Sequence, residues 1–375
     1  MASVMLPRGR LILPLSVCLL ALGCDSAVTP PQSAKDAGSG TGGSSSGGAI
    51  GTGGAAGMTT GTGGSASGGS GGVAPVPDAG PVVDASPEVA PPVDVGGMPR
   101  PTKPGMPPIA DGTEYNKLGP YPLPPESASV AAGVPRGQII SFNTPRSWTL
   151  YVPMQYDAAK PAAFMVFQDG GLYGDRNGTF RTPNVLDNLI AKGELPVMLV
   201  AFIPATGQRS VDYDSLNDKY VTFILTQILP MVEARYKITK NPEGRGLGGQ
   251  SSGGIAAFTA AWQRPDQFRR VLSDNGSFTA LQNPGGNTYP DLIRSTPVKP
   301  LRVTLVSSTR DAGSRDMGTR DWLQANKNMA AALKEKGYQY LFMTGDGMHY
   351  PPVQGASVHP MHMKWLWWDY TPDGT

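Results

Sequence analysis

A serine flanked by glycines is the residue of this chain best suited to covalent chemistry. Ser251 is the centre of a G-x-S-x-G pattern that runs from Gly249 to Gly253. The pattern is typical of a nucleophile elbow, in which a strand ends, the chain turns sharply at the serine, and a helix begins. Glycines suit the flanks because a Cβ atom there would collide with the neighbouring strand or helix. The pattern therefore predicts a serine nucleophile.

The surrounding sequence separates this serine from two chance matches. The chain has 49 glycines, and the same pattern occurs at 43–47 and 68–72 inside low-complexity sequence. Only Ser251 follows a short segment that ends in small residues and precedes an apolar run, from Ile255 to Trp262, that suits a buried helix. We expect the strand–turn–helix setting at Ser251 alone.

The predicted general base is His349. A serine hydroxyl is a poor nucleophile unless a base accepts its proton and a third group orients that base. The chain has three histidines, and His349 comes directly after the last predicted strand. His359 and His362 lie three residues apart near the final predicted helix, with no further ligands at metal-binding spacing. We expect them to be surface or packing residues, and we expect neither a metal nor a cofactor.

The orienting acid is predicted in the loop after a strand at 301–306. Where a serine elbow works with an acid and a base, the acid typically lies between the serine and the histidine in chain order. Asp311 stands at a suitable distance past the end of this strand, and Asp316 and Asp321 are the alternatives further along the same loop.

An oxyanion hole needs backbone N–H groups that point at the developing negative charge. One is expected from Ser252, the residue after the nucleophile. The second is expected from Gly170 or Gly171, which follow a predicted strand at 163–167. Glycines at these positions would let the backbone approach the substrate.

Strands and helices alternate along the second part of the chain. Strands are predicted at 146–152, 163–167, 196–203, 268–272, 301–306 and 338–343, and helices after an N-cap at Ser215, after Ser251, at 322–336 and at 359–370. The helix after Ser215 should kink or divide at Pro230. This order implies a mostly parallel sheet with helices on both faces. A serine elbow in such a sheet indicates the α/β-hydrolase fold.

The start of the chain is typical of an exported protein. Residues 1–23 combine a positive n-region with an apolar run too short for a permanent membrane span. The run ends in Ala21-Leu22-Gly23-Cys24, which resembles the lipobox of bacterial lipoproteins and predicts lipidation of Cys24. The only other cysteine, Cys18, would be removed, so no disulfide is expected. These features predict an exported chain held in the bacterial cell envelope by a lipid anchor.

The composition of residues 24–112 predicts a disordered tether. They are rich in Gly and Ser, then in Pro, and have too little apolar surface to offset chain entropy. A coil of this length reaches about 50 Å. Residues 113–375 then suit a single domain. The net charge of +2 and the absence of a basic cluster argue against a nucleic-acid partner, and nothing in the sequence sets an oligomeric state.

Several motifs together resemble the putative esterase family, and most closely its enterochelin (enterobactin) esterase-like members. The matching segments are Val166–Gly170, Arg209, Tyr213–Leu216, Gly249–Gly254, Trp262–Asp266, Gly276–Phe278, Leu323–Asn326, Gly345–His349 and Trp365–Trp367. The family includes enterochelin esterases, feruloyl esterases and mycolyltransferases. The resemblance implies a serine carboxylic-ester hydrolase that works through an acyl-enzyme.

The resemblance also assigns residues. It implies Ser251 as nucleophile, His349 as base and, despite a departure from the family pattern just before it, Asp311 as acid. Arg209 falls where the family places an arginine near the active site, for substrate anions or for loop structure, and Asp169 is assigned to substrate binding with it.

The expected partner is a small-molecule or polysaccharide-linked ester. An exported chain fits polymer or surface esters better than cytoplasmic siderophore processing. Two alternatives stay open: an acyltransferase of the same fold, and a non-catalytic surface lipoprotein that uses the fold for binding.

Overall fold

The computed structural model describes residues 109–117, 119–279, 288–310, 321–348 and 355–372. The predicted signal peptide, Cys24 and the tether up to residue 108 lie outside the described residues. Within the described ranges, no helix is both long and apolar enough to cross a membrane.

A nine-stranded mixed sheet forms the centre of the described fold. Its strands are β1 (Thr113–Lys117), β2 (Gln138–Phe142), β3 (Trp148–Val152), β4 (Ala163–Gln168), β5 (Met198–Ile203), β6 (Arg245–Gln250), β7 (Arg270–Asp274), β8 (Arg302–Arg310) and β9 (Gln339–Met348). They are ordered β1-β9-β8-β7-β6-β4-β5-β3-β2. Only the pairings β2–β3 and β3–β5 are antiparallel. The carboxyl ends of the seven parallel strands therefore share one edge of the sheet.

Helices connect most of the strands. They are α1 (Pro125–Ala128), α2 (Gly170–Tyr173), α3 (Thr182–Ala191), α4 (Arg209–Tyr213), α5 (Lys219–Phe223), α6 (Leu229–Glu233), α7 (Ser252–Gln263), α8 (Thr288–Ser295), α9 (Trp322–Glu335) and α10 (Gly355–Trp367). A π-helical turn (Ile224–Ile228) joins α5 to α6, and a 3₁₀ turn (Pro242–Gly244) precedes β6.

The central strands are buried on both faces, which explains their continuous apolar runs. Every residue of β4 and of β5 is buried. One face packs against α5 to α9, and the other packs against α3 and α10, so that two apolar cores flank the sheet. The predicted α/β-hydrolase architecture, a mostly parallel sheet with helices on both faces, is confirmed.

The segment around Pro230 differs from the prediction at its start. Ser215 does not cap the helix, which begins at Lys219 after Asp218. Pro230 lacks an N–H and its ring would crowd the carbonyl group four residues earlier. The π-helical turn lies directly before it, and such widened turns are a known way to accommodate an interruption of the hydrogen-bond ladder. The sequence predicted that the helix is interrupted at Pro230, but it did not predict the π-helical turn before it.

Four other elements differ from the sequence-based prediction. β8 and β9 run to Arg310 and Met348, several residues past their predicted ends. The final helix covers 355–367 rather than 359–370. The strand β1 was not predicted at all, because its sequence TEYNK is polar and has no apolar run; it pairs in parallel with β9 at the edge of the sheet.

A row of buried arginines lies at the amino ends of three neighbouring parallel strands. Arg245, Arg270 and Arg302 are the first residues of β6, β7 and β8, and all three are buried. Arg270 Nη1 lies 2.7 Å from Asp369 Oδ1, and Arg302 Nη1 lies 3.8 Å from Asp369 Oδ2. The guanidinium group of Arg302 also stacks on the Trp365 ring, 3.7 Å from its centroid. Asp369 therefore joins two strands to the segment after α10.

Replacing Asp369 should destabilise the fold strongly. In Asp369→Ala two buried guanidinium groups lose a carboxylate, so we expect the free energy of unfolding to fall by about 3 kcal/mol in urea titrations. Asp291→Ala is the matched control, because the Asp291 side chain is 90% exposed and forms an ion pair with Arg294 on the surface of α8. That change should cost less than about 0.5 kcal/mol. If the free energy of unfolding fell equally in the two variants, the structural role of Asp369 would be contradicted.

Candidate active site

Ser251 occupies a strained turn between β6 and α7. Its φ and ψ are 60° and −124°, a region that non-glycine residues enter only when the surrounding structure holds them there. The Ser251 N–H donates to the Asp274 carbonyl group (2.9 Å), and its own carbonyl accepts from Gly254 N (2.9 Å) and Ser277 N (3.2 Å). The side chain is half-buried. This is the elbow expected from the sequence pattern.

The glycines of the pattern are required by close packing. A Cβ atom on Gly249 would overlap the backbone of Gly253 one helical turn later. A Cβ atom on Gly253 would in turn overlap the Asp169 carboxylate. The first glycine lets α7 turn back against β6, and the second lets the loop after β4 approach α7.

The loop after β4 brings a second set of amides to the same place. Asp169 is left-handed (φ 55°) and redirects the chain from β4 into α2. A Cβ atom on Gly170 would overlap the backbone of Phe202 and Ile203 in β5, whereas Gly171 is exposed and unobstructed. The amide groups of Gly170 and Gly171 open α2, and that of Ser252 opens α7. First-turn N–H groups have no partner within their own helix.

A pocket of about 440 Å³ opens beside Ser251. Its walls are the elbow, the loop after β4, the loop after β5 and the start of α4, through Asp169, Gly171, Leu172, Pro204, Ala205, Arg209, Gln250 and Ser251. The pocket therefore contains the predicted nucleophile, one predicted oxyanion glycine and both predicted substrate-binding residues.

Arg209 forms a two-pronged ion pair with Asp169. Its Nε lies 2.8 Å from Asp169 Oδ1 and its Nη2 lies 2.7 Å from Oδ2, while Nη2 also donates to the Gln250 carbonyl group at 3.2 Å. Burial opposes the charge of Arg209, but the hydrogen bonds and charge of Asp169 outweigh it and raise the pKa of the guanidinium group. Arg209 thus ties the loop after β4 to the residue before Ser251. This geometry favours the loop-holding role over binding of a substrate anion.

Two residues to which the sequence analysis assigned no catalytic role also make contacts here, Ser277 with the elbow and Tyr173 with the neighbouring strand β7. The Ser277 hydroxyl lies 2.9 Å from Ser251 Oγ. The Tyr173 hydroxyl, at the end of α2, donates to Asp274 Oδ2 at 2.8 Å. Asp274 is fully buried, and burial raises the pKa of its carboxyl group to about 7 although the Tyr173 hydrogen bond opposes the rise. Both contacts join residues far apart in the chain, so no local pattern indicates them.

The remaining predicted residues fall in different places. Asp311, Asp316 and His349 lie outside the described residues. Asp321 caps α9, where its carboxylate accepts from Gln324 N at 2.8 Å. That role in helix capping leaves it poorly suited as the triad acid.

The two other histidines are packing residues. His359 and His362 are buried inside α10. His359 Nε2 lies 3.0 Å from Thr182 Oγ1, and burial, with the nearby His362, lowers the pKa of His359 to about 3. Among the described residues, no group of three or more His, Cys, Asp or Glu side chains is arranged to hold a metal ion.

A comparison with protein-family models decides the classification. The model described as "Putative esterase" matches residues 140–350, which is more than half of the chain. The chain belongs to the putative esterase family. The resemblance to that family drawn from the sequence motifs is confirmed, and membership in it supports a carboxylic ester hydrolase.

Solved structures share the fold. An enterobactin esterase from Shigella flexneri superposes with a TM-score of 0.52 at 20% identity, over 66% of this chain and 63% of that one. A ferulic acid esterase from Anaeromyces mucronatus superposes with a TM-score of 0.51 at 15% identity, over 64% of this chain and 94% of that one. The match thus spans less than two thirds of the enterobactin esterase.

A bacterial relative is also similar in sequence. The uncharacterized protein YbbA of Bacillus subtilis (strain 168) is 25% identical over 213 residues, which cover 52% of this chain and 80% of that protein.

Stability should depend on pH through Asp274. Because the folded-state pKa of about 7 lies above the ordinary value, the folded state binds the proton more tightly than the unfolded state. The stabilisation from this group is complete below about pH 4 and is lost as the pH rises to about 7. The free energy of unfolding of the wild type relative to Asp274→Asn, measured in urea, should fall across this range and stay level above it. If the free energy of unfolding of the wild type, relative to Asp274→Asn, rose with pH instead, the raised pKa of Asp274 would be contradicted.

Proposed function

We propose that this protein is a serine esterase in which Ser251 attacks the ester carbonyl, His349 acts as base and Asp311 orients it. The observation that carries the proposal is the strained position of Ser251 at the wall of a pocket, between the amide groups that open α2 and α7. A helix N-terminus favours negative charge, so an ester carbonyl placed there would have its developing oxyanion stabilised.

The reaction would proceed in two halves. His349 takes the proton from Ser251 Oγ as the oxygen attacks the carbonyl carbon, and the amides of Ser252 and of Gly170 or Gly171 hold the oxyanion. The alcohol leaves with the proton from His349. Water then attacks the acyl-enzyme by the same route and releases the acid.

The pocket favours an uncharged, apolar acyl group. Leu172, Pro204 and Ala205 supply apolar walls, and the charge of Arg209 is matched by Asp169. A carboxylate in the substrate would have to compete with Asp169 for the guanidinium group. Aryl or other apolar acyl esters, free or attached to a polysaccharide, therefore suit this pocket best, in line with the structure of the Anaeromyces mucronatus esterase in complex with ferulic acid.

The amino-terminal sequence supports export and lipidation at Cys24 as part of the proposal. The chain would then act in the bacterial cell envelope on esters outside the cytoplasm. If so, Cys24→Ser should move the full-length protein from the membrane fraction to the soluble fraction, and metabolic labelling with an alkyne fatty acid should be lost. A mutant that stays in the membrane fraction would count against the anchor.

A fluorophosphonate probe tests the nucleophile. The folded wild type should label covalently, and Ser251→Ala should not. His349→Ala should label at least about 100-fold more slowly, since a general base contributes factors of about 10² to 10⁴. Ser295→Ala, which removes an exposed hydroxyl from α8, should label like the wild type.

Two results would change the function assigned. A folded wild type that does not label would contradict the serine esterase and would favour a binding protein built on the fold. An added alcohol that captures the acyl group faster than water does would identify an acyltransferase instead.

A further inference from the structure

The hydroxyl group of Ser277 lies within hydrogen-bond distance of Ser251, the proposed nucleophile. Ser277 Oγ lies 2.9 Å from Ser251 Oγ, and the Ser277 N–H donates to the Ser251 carbonyl group at 3.2 Å. Ser277 is itself buried, with 1% of its surface exposed. It therefore contacts both the backbone and the side chain of the residue that must attack the ester.

The segment that carries Ser277 is held firmly in place. Gly276 packs so closely that a Cβ atom on it would overlap the Phe278 ring and the Ser273 hydroxyl. The Gly276 carbonyl group accepts a hydrogen bond of 2.7 Å from the buried Asn326 amide of α9. Phe278 is buried in the core on the same face of the sheet. The backbone that carries the Ser277 hydroxyl is therefore fixed in position beside Ser251.

The chemistry of a hydroxyl assigns the direction of this hydrogen bond. A serine hydroxyl has one hydrogen and two acceptor lone pairs. In an attacking Ser251 the hydrogen must point to the base and one lone pair must point to the ester carbon. One lone pair is left, and a donor at Ser277 would occupy it. That arrangement fixes the rotamer in which the other two directions are available for reaction.

We propose that Ser277 is a positioning residue that donates to Ser251 Oγ in the free enzyme and in the acyl-enzyme. In deacylation the bond between the acyl carbon and Ser251 Oγ breaks, and the general base returns its proton to that oxygen. A hydrogen bond from Ser277 stabilises the charge on Oγ as the bond breaks, without transferring its own proton. The inference rests on the proposed role of Ser251 as nucleophile.

The test compares full-length Ser277→Ala with Ser295→Ala. Ser295 is the control because its hydroxyl also donates a hydrogen bond, to the Asp291 carbonyl group at 2.8 Å, but lies on the exposed surface of α8. Loss of one hydroxyl hydrogen bond should slow fluorophosphonate labelling of Ser277→Ala about tenfold. Its kcat for a nitrophenyl ester should fall by a similar factor with KM almost unchanged, since the bond acts on the reacting oxygen. Ser295→Ala should stay within about twofold of the wild type in both assays.

A conservative variant separates positioning from folding. Ser277→Cys keeps the shape of the side chain with a weaker donor, so its labelling rate should lie between those of the wild type and Ser277→Ala, with an unchanged melting temperature. If Ser277→Ala does not fold, the labelling rate of Ser277→Cys relative to the wild type is by itself the test of the proposal. Folded Ser277 variants that label with the probe and hydrolyse the ester as fast as Ser295→Ala would overturn the proposal. A wild type that does not label would instead overturn the role of Ser251 itself.

Discussion

The active site depends on one constraint, the unfavourable backbone conformation of Ser251. A non-glycine residue with φ near 60° and ψ near −124° stays there only if its neighbours allow no relaxation. Here the neighbours are β7, which accepts the Ser251 N–H, and the first turn of α7, which donates to the Ser251 carbonyl group. The parallel pairing of β6 with β7 therefore helps to hold Ser251 in this conformation, because it fixes the strand from which the serine projects.

The same packing connects three of the four parts of the pocket wall: the elbow, the loop after β4 and the start of α4. Gly253 lets the Asp169 carboxylate lie against α7, and Asp169 in turn holds Arg209, which binds the carbonyl group before Ser251. Tyr173 extends the connection to β7 through Asp274. Each contact joins elements that the chain brings together only in the folded state. Changes far from the pocket that shift β7 or α2 should therefore alter the geometry around Ser251.

Local sequence patterns were sufficient for the elbow and for the central strands. The glycines around Ser251 report a steric requirement within a few residues, and the buried strand at 198–203 reads as one apolar run. Interactions between distant segments were not predictable in this way. Arg270 and Arg302 look like surface residues in the sequence but are buried against aromatic rings and Asp369. The contact between Ser277 and Ser251 joins two turns 26 residues apart, and no periodicity reports it.

The polar edge strand β1 determines where the preceding chain joins the fold. β1 runs parallel to β9, and Asp111, just before it, binds Arg302 at the first residue of β8 at 2.9 Å. The chain thus enters at the amino ends of the parallel strands, whereas Ser251 follows the carboxyl end of β6. The point at which the preceding chain enters therefore lies on the side of the described domain opposite the pocket. A long or branched ester could reach the pocket without meeting that point.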